Sequence, residues 1–309
     1  VLPVIAVLVA AVLFGTTGTA QALGPESTTP LGVGAARLIV GGAALAAVGL
    51  LLGSRRQRAG VARSGIRPGG GLRAFALMAA TGVCLALYQP LFFLGTARNG
   101  VAVGTVIALG SAPVLAGLLE WALTRRRPTP SWIAATVLAT AGVALLAVAG
   151  GGAAGADGLG VLGSLGAGAS FAVIANAQRR LISGGWDAFT VSGAMGAGAA
   201  VCGVAMMPFA DMTWITEPRG WTMALWLGVA TVALAYGLFT WGLGGLSAAT
   251  AATLTLAEPL TASLLGVLLL GERLAPLALL GLAVLTAALV LLAAASRSRR
   301  NPAPTPLEA

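Results

Sequence analysis

Ten apolar runs, most of them separated by only a few residues, constrain this chain more than anything else in it. They fall near 3–23, 31–53, 73–97, 101–123, 131–150, 158–182, 187–209, 220–243, 247–270 and 275–295. A helix needs roughly 20 apolar residues to cross the hydrocarbon core of a bilayer. Lipid offers no partners to backbone N–H and C=O groups, so runs of this length and spacing are satisfied as helices packed in a bundle. With 58% hydrophobic and 9% charged residues, 309 residues cannot supply the polar surface of a soluble globule. The expected fold is an all-α polytopic membrane protein with ten transmembrane helices.

The charges give that bundle a direction. All 18 basic residues are arginine, against nine acidic ones, for a net charge of +9. Fourteen of the eighteen fall in alternate connections: Arg55, Arg56, Arg58, Arg63, Arg67 and Arg73 around the 2–3 connection, Arg125, Arg126 and Arg127 in 4–5, Arg179 and Arg180 in 6–7, and Arg297, Arg299 and Arg300 in the tail. The other connections hold Glu26, Asp157, Asp211, Glu217 and Glu272 with only Arg98, Arg219 and Arg273. Positive loops stay on the cytoplasmic side, so both termini are expected there, in a cell (plasma or inner) membrane. One miscounted helix would scramble this separation. The same clustering argues against nucleic acid as a partner, because the positive charge tracks the loops of a membrane protein. Residues 3–18 followed by Thr19-Ala-Gln-Ala imitate a cleavable leader, but without a basic segment before them the first helix is expected to be retained.

The halves repeat. An offset of 146 places Pro113 on Pro259, Arg127 on Arg273, Pro130 on Pro276 and Thr140 on Thr286, while an offset of 157 places Phe14 on Phe171 and Gln21 on Gln178. Five helices per half is an odd number, so the second half is inserted upside down. The expected division is 1–150 and 151–296 as two inverted five-helix repeats, with 297–309 as a cytoplasmic tail. Inverted repeats are a construction of secondary transporters, which bind substrate near the midplane where the halves meet.

Within the apolar runs, polar residues are the candidates for function. Glu258 stands near the middle of helix 9, where a carboxylate costs at least about 2.5–3.5 kcal/mol to insert and is a functional candidate by default. It is the candidate for coupling to protons; a structural carboxyl bonded to a hydroxyl is the competing reading. Pro113 and Pro259 are expected to break their helices, Pro259 by leaving the carbonyl of Thr255 free. Thr17 and Gln21 in helix 1, Tyr88 and Gln89 in helix 3, Asn176 and Gln178 in helix 6, Tyr236 and Trp241 in helix 8 and Thr255 in helix 9 are the candidate substrate contacts. Each has a plainer alternative: interhelical bonding for the amides, packing for the aromatics, and bonding to its own helix for the threonine. Arg37, inside helix 2, either snorkels to the interface or faces an anion. Trp121, Trp132, Trp186 and Trp221 lie near helix ends and read as an aromatic belt.

Other chemistries lack their parts. The chain has no His and no Lys, and its two cysteines, Cys84 and Cys202, sit in apolar runs and are expected as buried thiols, so metal and cofactor sites are not expected. Gly150-Gly-Gly has no Lys after it and forms no phosphate loop, so nothing supports ATP-driven transport.

Phe14-Gly-Thr-Thr-Gly-Thr-Ala in helix 1, Gly110-Ser-Ala-Pro-Val in helix 4 and Ala257-Glu-Pro-Leu followed by Leu270-Gly-Glu-Arg in helix 9 resemble the EamA-type branch of the drug/metabolite transporter superfamily. Helix 4 carries Ala112 where helix 9 carries Glu258. The resemblance implies a ten-helix carrier of small metabolites, often directed outward, with a cavity lined by helices 1, 3, 4, 6, 8 and 9. An amino-acid-like or amphipathic substrate carried by alternating access is the expected function. A lipid-carrier or drug flippase on the same fold is the alternative, with an intramembrane enzyme behind it. The expected partners are a small-molecule substrate, the bilayer and protons.

Overall fold

The computed structural model describes residues 1–56, 58–59, 71–150, 157–271 and 273–298. Within these, ten helices are long and apolar enough to cross a membrane: α1 (Leu2–Ala22), α2 (Pro30–Arg56), α3 (Leu72–Val101), α4 (Val103–Thr124), α5 (Pro130–Ala149), α6 (Gly158–Ser183), α7 (Ala188–Phe209), α8 (Pro218–Leu243), α9 (Ala248–Leu270) and α10 (Pro276–Ser296). They match the ten runs to within a few residues at each end. Arg63, Arg67, Glu272, Arg299, Arg300 and most of the expected tail lie outside the described residues.

Helix starts follow from local chemistry. The side chains of Thr29, Thr129, Asp157, Asp187 and Ser247 each accept a hydrogen bond from a backbone N–H of the first turn they precede. In two of these a proline opens the helix, where its missing N–H removes nothing. Helix ends are equally local. Arg125 ends α4 with φ 59°, and Gly271 ends α9 with φ 70°. Glycine takes that left-handed conformation without a Cβ penalty, whereas Arg125 carries some strain. The two residues stand at the same 146-residue offset as Pro113 and Pro259.

Small residues set the closest helix pairs. α2 packs on α7 with Gly49 against Gly193 and Gly42 against Gly196, and α5 packs on α10 with Gly142 against Gly281 and Leu285. A methyl group at these glycines would meet the opposing backbone at under 3 Å, so the contacts depend on its absence. α3 and α4 run on from each other through Gly100, and α6 lies along them. Outward faces carry large apolar side chains, as lipid contact requires. The 7–8 connection folds back on the bundle, burying Trp214 among Val33, Ala36, Met223 and Leu227.

The two expected helix breaks come out differently. α4 passes through Pro113 with helical geometry. α9 consists of Ala248–Leu254 and Ala257–Leu270, with a turn at Thr255 and Leu256 between them. Nor is the Thr255 carbonyl left free: it accepts from the N–H of Glu258 at 2.9 Å. Pro259 therefore occupies the first turn of a new half-helix, where prolines are tolerated, and the interruption lies just ahead of it. A further irregularity was not legible in the pattern: Trp226–Leu234 in α8 is wound as π-helix, immediately before Tyr236. Cys84 and Cys202 are free but only half-buried, since both lie on helix faces at the edge of the core.

Candidate substrate site

Five polar side chains come together within the bundle from four different helices. Arg37 of α2 donates from Nη1 to Oε1 of Gln89 on α3 at 2.9 Å. Tyr88 neighbours Gln89 on α3, while Tyr236 of α8 and the Glu258 backbone of α9 both meet α1, at Phe14 and Gly15. Arg37 and Glu258 nevertheless form no ion pair, and Glu258, Tyr88 and Tyr236 have no side-chain hydrogen-bond partner among the described residues. Glu258 is only half-buried.

The surroundings explain how the group is held. Phe14 of α1 packs edge-on against Tyr236 at 5.0 Å between ring centroids, and Phe239 packs on Tyr236 from the next turn of α8. Gly15 brings α1 onto α9: a Cβ there would lie 2.6 Å from Thr261 Cβ and 2.7 Å from the Glu258 carbonyl oxygen. Glu258 stands in the first turn of the second half of α9, where the helix dipole favours a negative charge. Thr17 and Gln21 continue the face of α1 begun by Phe14; both are half-exposed and make no side-chain hydrogen bond among the described residues.

The remaining candidates lie elsewhere. Gln178 is fully buried and satisfied, donating to Met195 Sδ and accepting from the Thr240 hydroxyl, so it ties α6 to α7 and α8. Asn176 donates to the carbonyls of Ala116 and Ala172, joining α6 to α4. Thr255 donates to Ala252 O within α9. Trp241 is exposed, on the face of α8 opposite Tyr236 and Phe239, and is not brought to the cluster. Trp121 and Trp221 are exposed near helix ends as a belt requires, but Trp132 turns inward and donates to the Thr253 hydroxyl at 3.0 Å. Thr253 also pairs with Thr136 at 3.1 Å, so α5 is bonded to the first half of α9.

Two recesses flank the centre. At the arginine-rich end a cavity of about 860 Å³ is bordered by Arg126, Arg127, Arg179, Arg180, Asn176 and Thr250. Its floor is held by two side chains that sequence reasoning passed over: Glu120 accepts from the Ala249 N–H at the start of α9, and Arg179 donates to the Leu243 carbonyl at the end of α8. No spacing signals such a contact, because each partner is a backbone group more than sixty residues away. At the opposite end a recess of about 400 Å³ lies between α1, α8 and α9, bordered by Thr16, Thr19, Arg219, Trp226, Leu265 and Leu269. There the 3–4 turn is fastened to the start of α6: Asn99 exchanges hydrogen bonds with the Asp157 backbone, and Arg98 pairs with the Asp157 carboxylate at 3.6 Å. Among the described residues no three His, Cys, Asp or Glu side chains are grouped to hold a metal.

The sequence profile of the EamA-like transporter family matches this chain twice, over residues 1–148 and 158–294. The chain belongs to the EamA-like transporter family. It is 43% identical over 295 residues, 96% of its length and 95% of the other's, to a Bacillus subtilis (strain 168) protein called uncharacterized transporter YwfM. A solved structure, titled only as the crystal structure of a protein, shares the fold with a TM-score of 0.72 at 21% identity, over 97% of this chain and 99% of the other. The protein is accordingly a multi-pass membrane transporter of the EamA type. In this family member the charged cluster draws on α2, a helix not expected to line the cavity, while the amides of α6 serve to join helices.

Proposed function

We propose that this protein is a secondary carrier that moves a small amphipathic metabolite, amino-acid-like in its polar groups, outward across the cell membrane by alternating access. The observation that carries the reading is the central group itself. A guanidinium, a carboxylate and two phenols lie together among aromatic rings, with their hydrogen-bonding capacity mostly unused. Unpaired polar groups deep in a membrane bundle are costly, and a pocket that is largely apolar with a few convergent polar groups is the usual form of a small-molecule site. A substrate with both charged and apolar parts satisfies both halves of it.

The matching ends of α4 and α9 and the double family match support two five-helix units, 1–150 and 151–296, and inverted insertion follows from their odd helix number. The arginine-rich end is the cytoplasmic one, with both termini there. Glu258 is the candidate coupling group, able to take up and release a proton as the half-helices of α9 repack. A metabolite-release comparison tests the function: cells overproducing the protein should release an amino-acid-like compound faster than cells lacking it. Equal release of every such compound would refute the reading. The recess between α1, α8 and α9 supports a second reading, export of a more lipid-like molecule through the side of the bundle. Accumulation of a lipid-soluble compound in the outer leaflet, with unchanged amino-acid release, would favour it.

A further inference from the structure

Arg37 is the least expected residue in the bundle. It lies seven residues into α2, about 10 Å along the helix axis from Pro30. A snorkelling arginine extends toward the nearer interface. This one ends on a protein partner instead, Gln89, which stands near the middle of α3. Gln89 is itself held in place: it is buried, and α2 approaches it so closely that a Cβ at Gly34 would lie 3.3 Å from its Cγ. The amide therefore aims the guanidinium rather than neutralising it. One Arg37 nitrogen is engaged, and no carboxylate among the described residues pairs with it. Guanidinium presents five donors in a planar fork that matches a carboxylate in two parallel bonds.

We propose that Arg37, positioned by Gln89, is the carboxylate-binding residue of the central site. This rests on the reading of the site as one for an amino-acid-like substrate, and it says which end of that substrate meets α2 and α3. Glu258 forms no ion pair with Arg37 and leaves the fork open. Tyr88, beside Gln89 in sequence, has no side-chain hydrogen-bond partner among the described residues and is free to donate to the second carboxylate oxygen.

The test is competition against counterflow of labelled L-leucine in proteoliposomes, using unlabelled L-leucine and L-leucinamide, which lacks the carboxylate. Charge-assisted paired hydrogen bonds predict that wild-type protein prefers leucine over leucinamide by about tenfold or more. Arg37→Gln should bring the two within about twofold, Arg37→Lys should keep part of the preference, and Gln89→Leu should weaken it without abolishing transport. Thermal unfolding of each purified variant in detergent separates loss of fold from loss of recognition. Should Arg37→Gln misfold, Gln89→Leu and Arg37→Lys still decide the matter. An unchanged leucine preference in folded variants overturns the assignment and leaves Arg37 as an internal counter-charge to Glu258. Wild-type protein that carries no leucine overturns the amino-acid reading itself, and the assignment falls with it.

Discussion

Helices α4 and α9 hold corresponding places in the two halves of the chain and end alike, yet only α9 is interrupted where it passes the centre. Both carry a proline at the same offset. In α4 the proline stands inside unbroken helix, and the residue before it, Ala112, is buried against α6, where Gly168 leaves no room for a methyl group between the backbones. In α9 the chain turns at Thr255 and Leu256, and the residue before the proline is Glu258, facing the polar cluster. Proline alone does not make a break in a membrane helix, since neighbouring groups can accommodate the lost hydrogen bond. The difference sets the two helices apart: α4 is packed tightly against α6 at this level, and α9 presents a carboxylate.

The comparison can be broken most severely by making the repeats alike. Ala112→Glu puts a carboxylate into a position with neither space nor a partner, at a cost of about 2.5–3.5 kcal/mol or more on insertion scales. Little or no folded protein should be recovered by size-exclusion chromatography. Normal yield and stability would mean that α4 can open at this point as α9 does. A smaller but still large effect is expected from Gly15→Val, which forces α1 away from Thr261 and the Glu258 backbone. Overpacking of this kind costs about 1–3 kcal/mol, so the melting temperature in detergent should fall and leucine counterflow should drop severalfold. Smallest is the contrast between the prolines themselves. Pro259→Ala supplies an N–H that competes for the Thr255 carbonyl and straightens α9, slowing counterflow by about threefold to tenfold. Pro113→Ala should change it by less than about twofold, because α4 is already continuous there. Equal effects from both prolines would argue that the break in α9 is incidental.

Much of this was legible because the relevant signals are local or periodic. Helix number and limits follow from apolar runs bounded by Thr-Pro, Asp and Ser caps, and Glu258 stands out because a carboxylate there needs a reason. The separation of Pro113 from Pro259 was not legible: identical residues, at matching positions, differ through what α6 and α1 press against them. Trp241 and Tyr236 looked equivalent as aromatic residues with polar tips, but a π-wound segment precedes Tyr236, and only the final helical phase decides which ring faces inward. The amides Asn176 and Gln178 could be read as glue or as substrate contacts, and their actual partners, on α4, α7 and α8, follow from no sequence spacing. Arg37 was open between two readings for the same reason, since its direction depends on Gln89, fifty-two residues away.

The central claim is that Glu258, set at the interruption of α9, couples transport to protons. Glu258→Gln keeps the shape and hydrogen bonding of the side chain but cannot exchange a proton. In proteoliposomes with an imposed pH gradient the variant should bind L-leucine and exchange it across the membrane without a gradient, yet fail to accumulate it when the gradient is present. Full gradient-driven accumulation by the variant, with the pH dependence of the unaltered protein, would contradict the account and return Glu258 to a structural role.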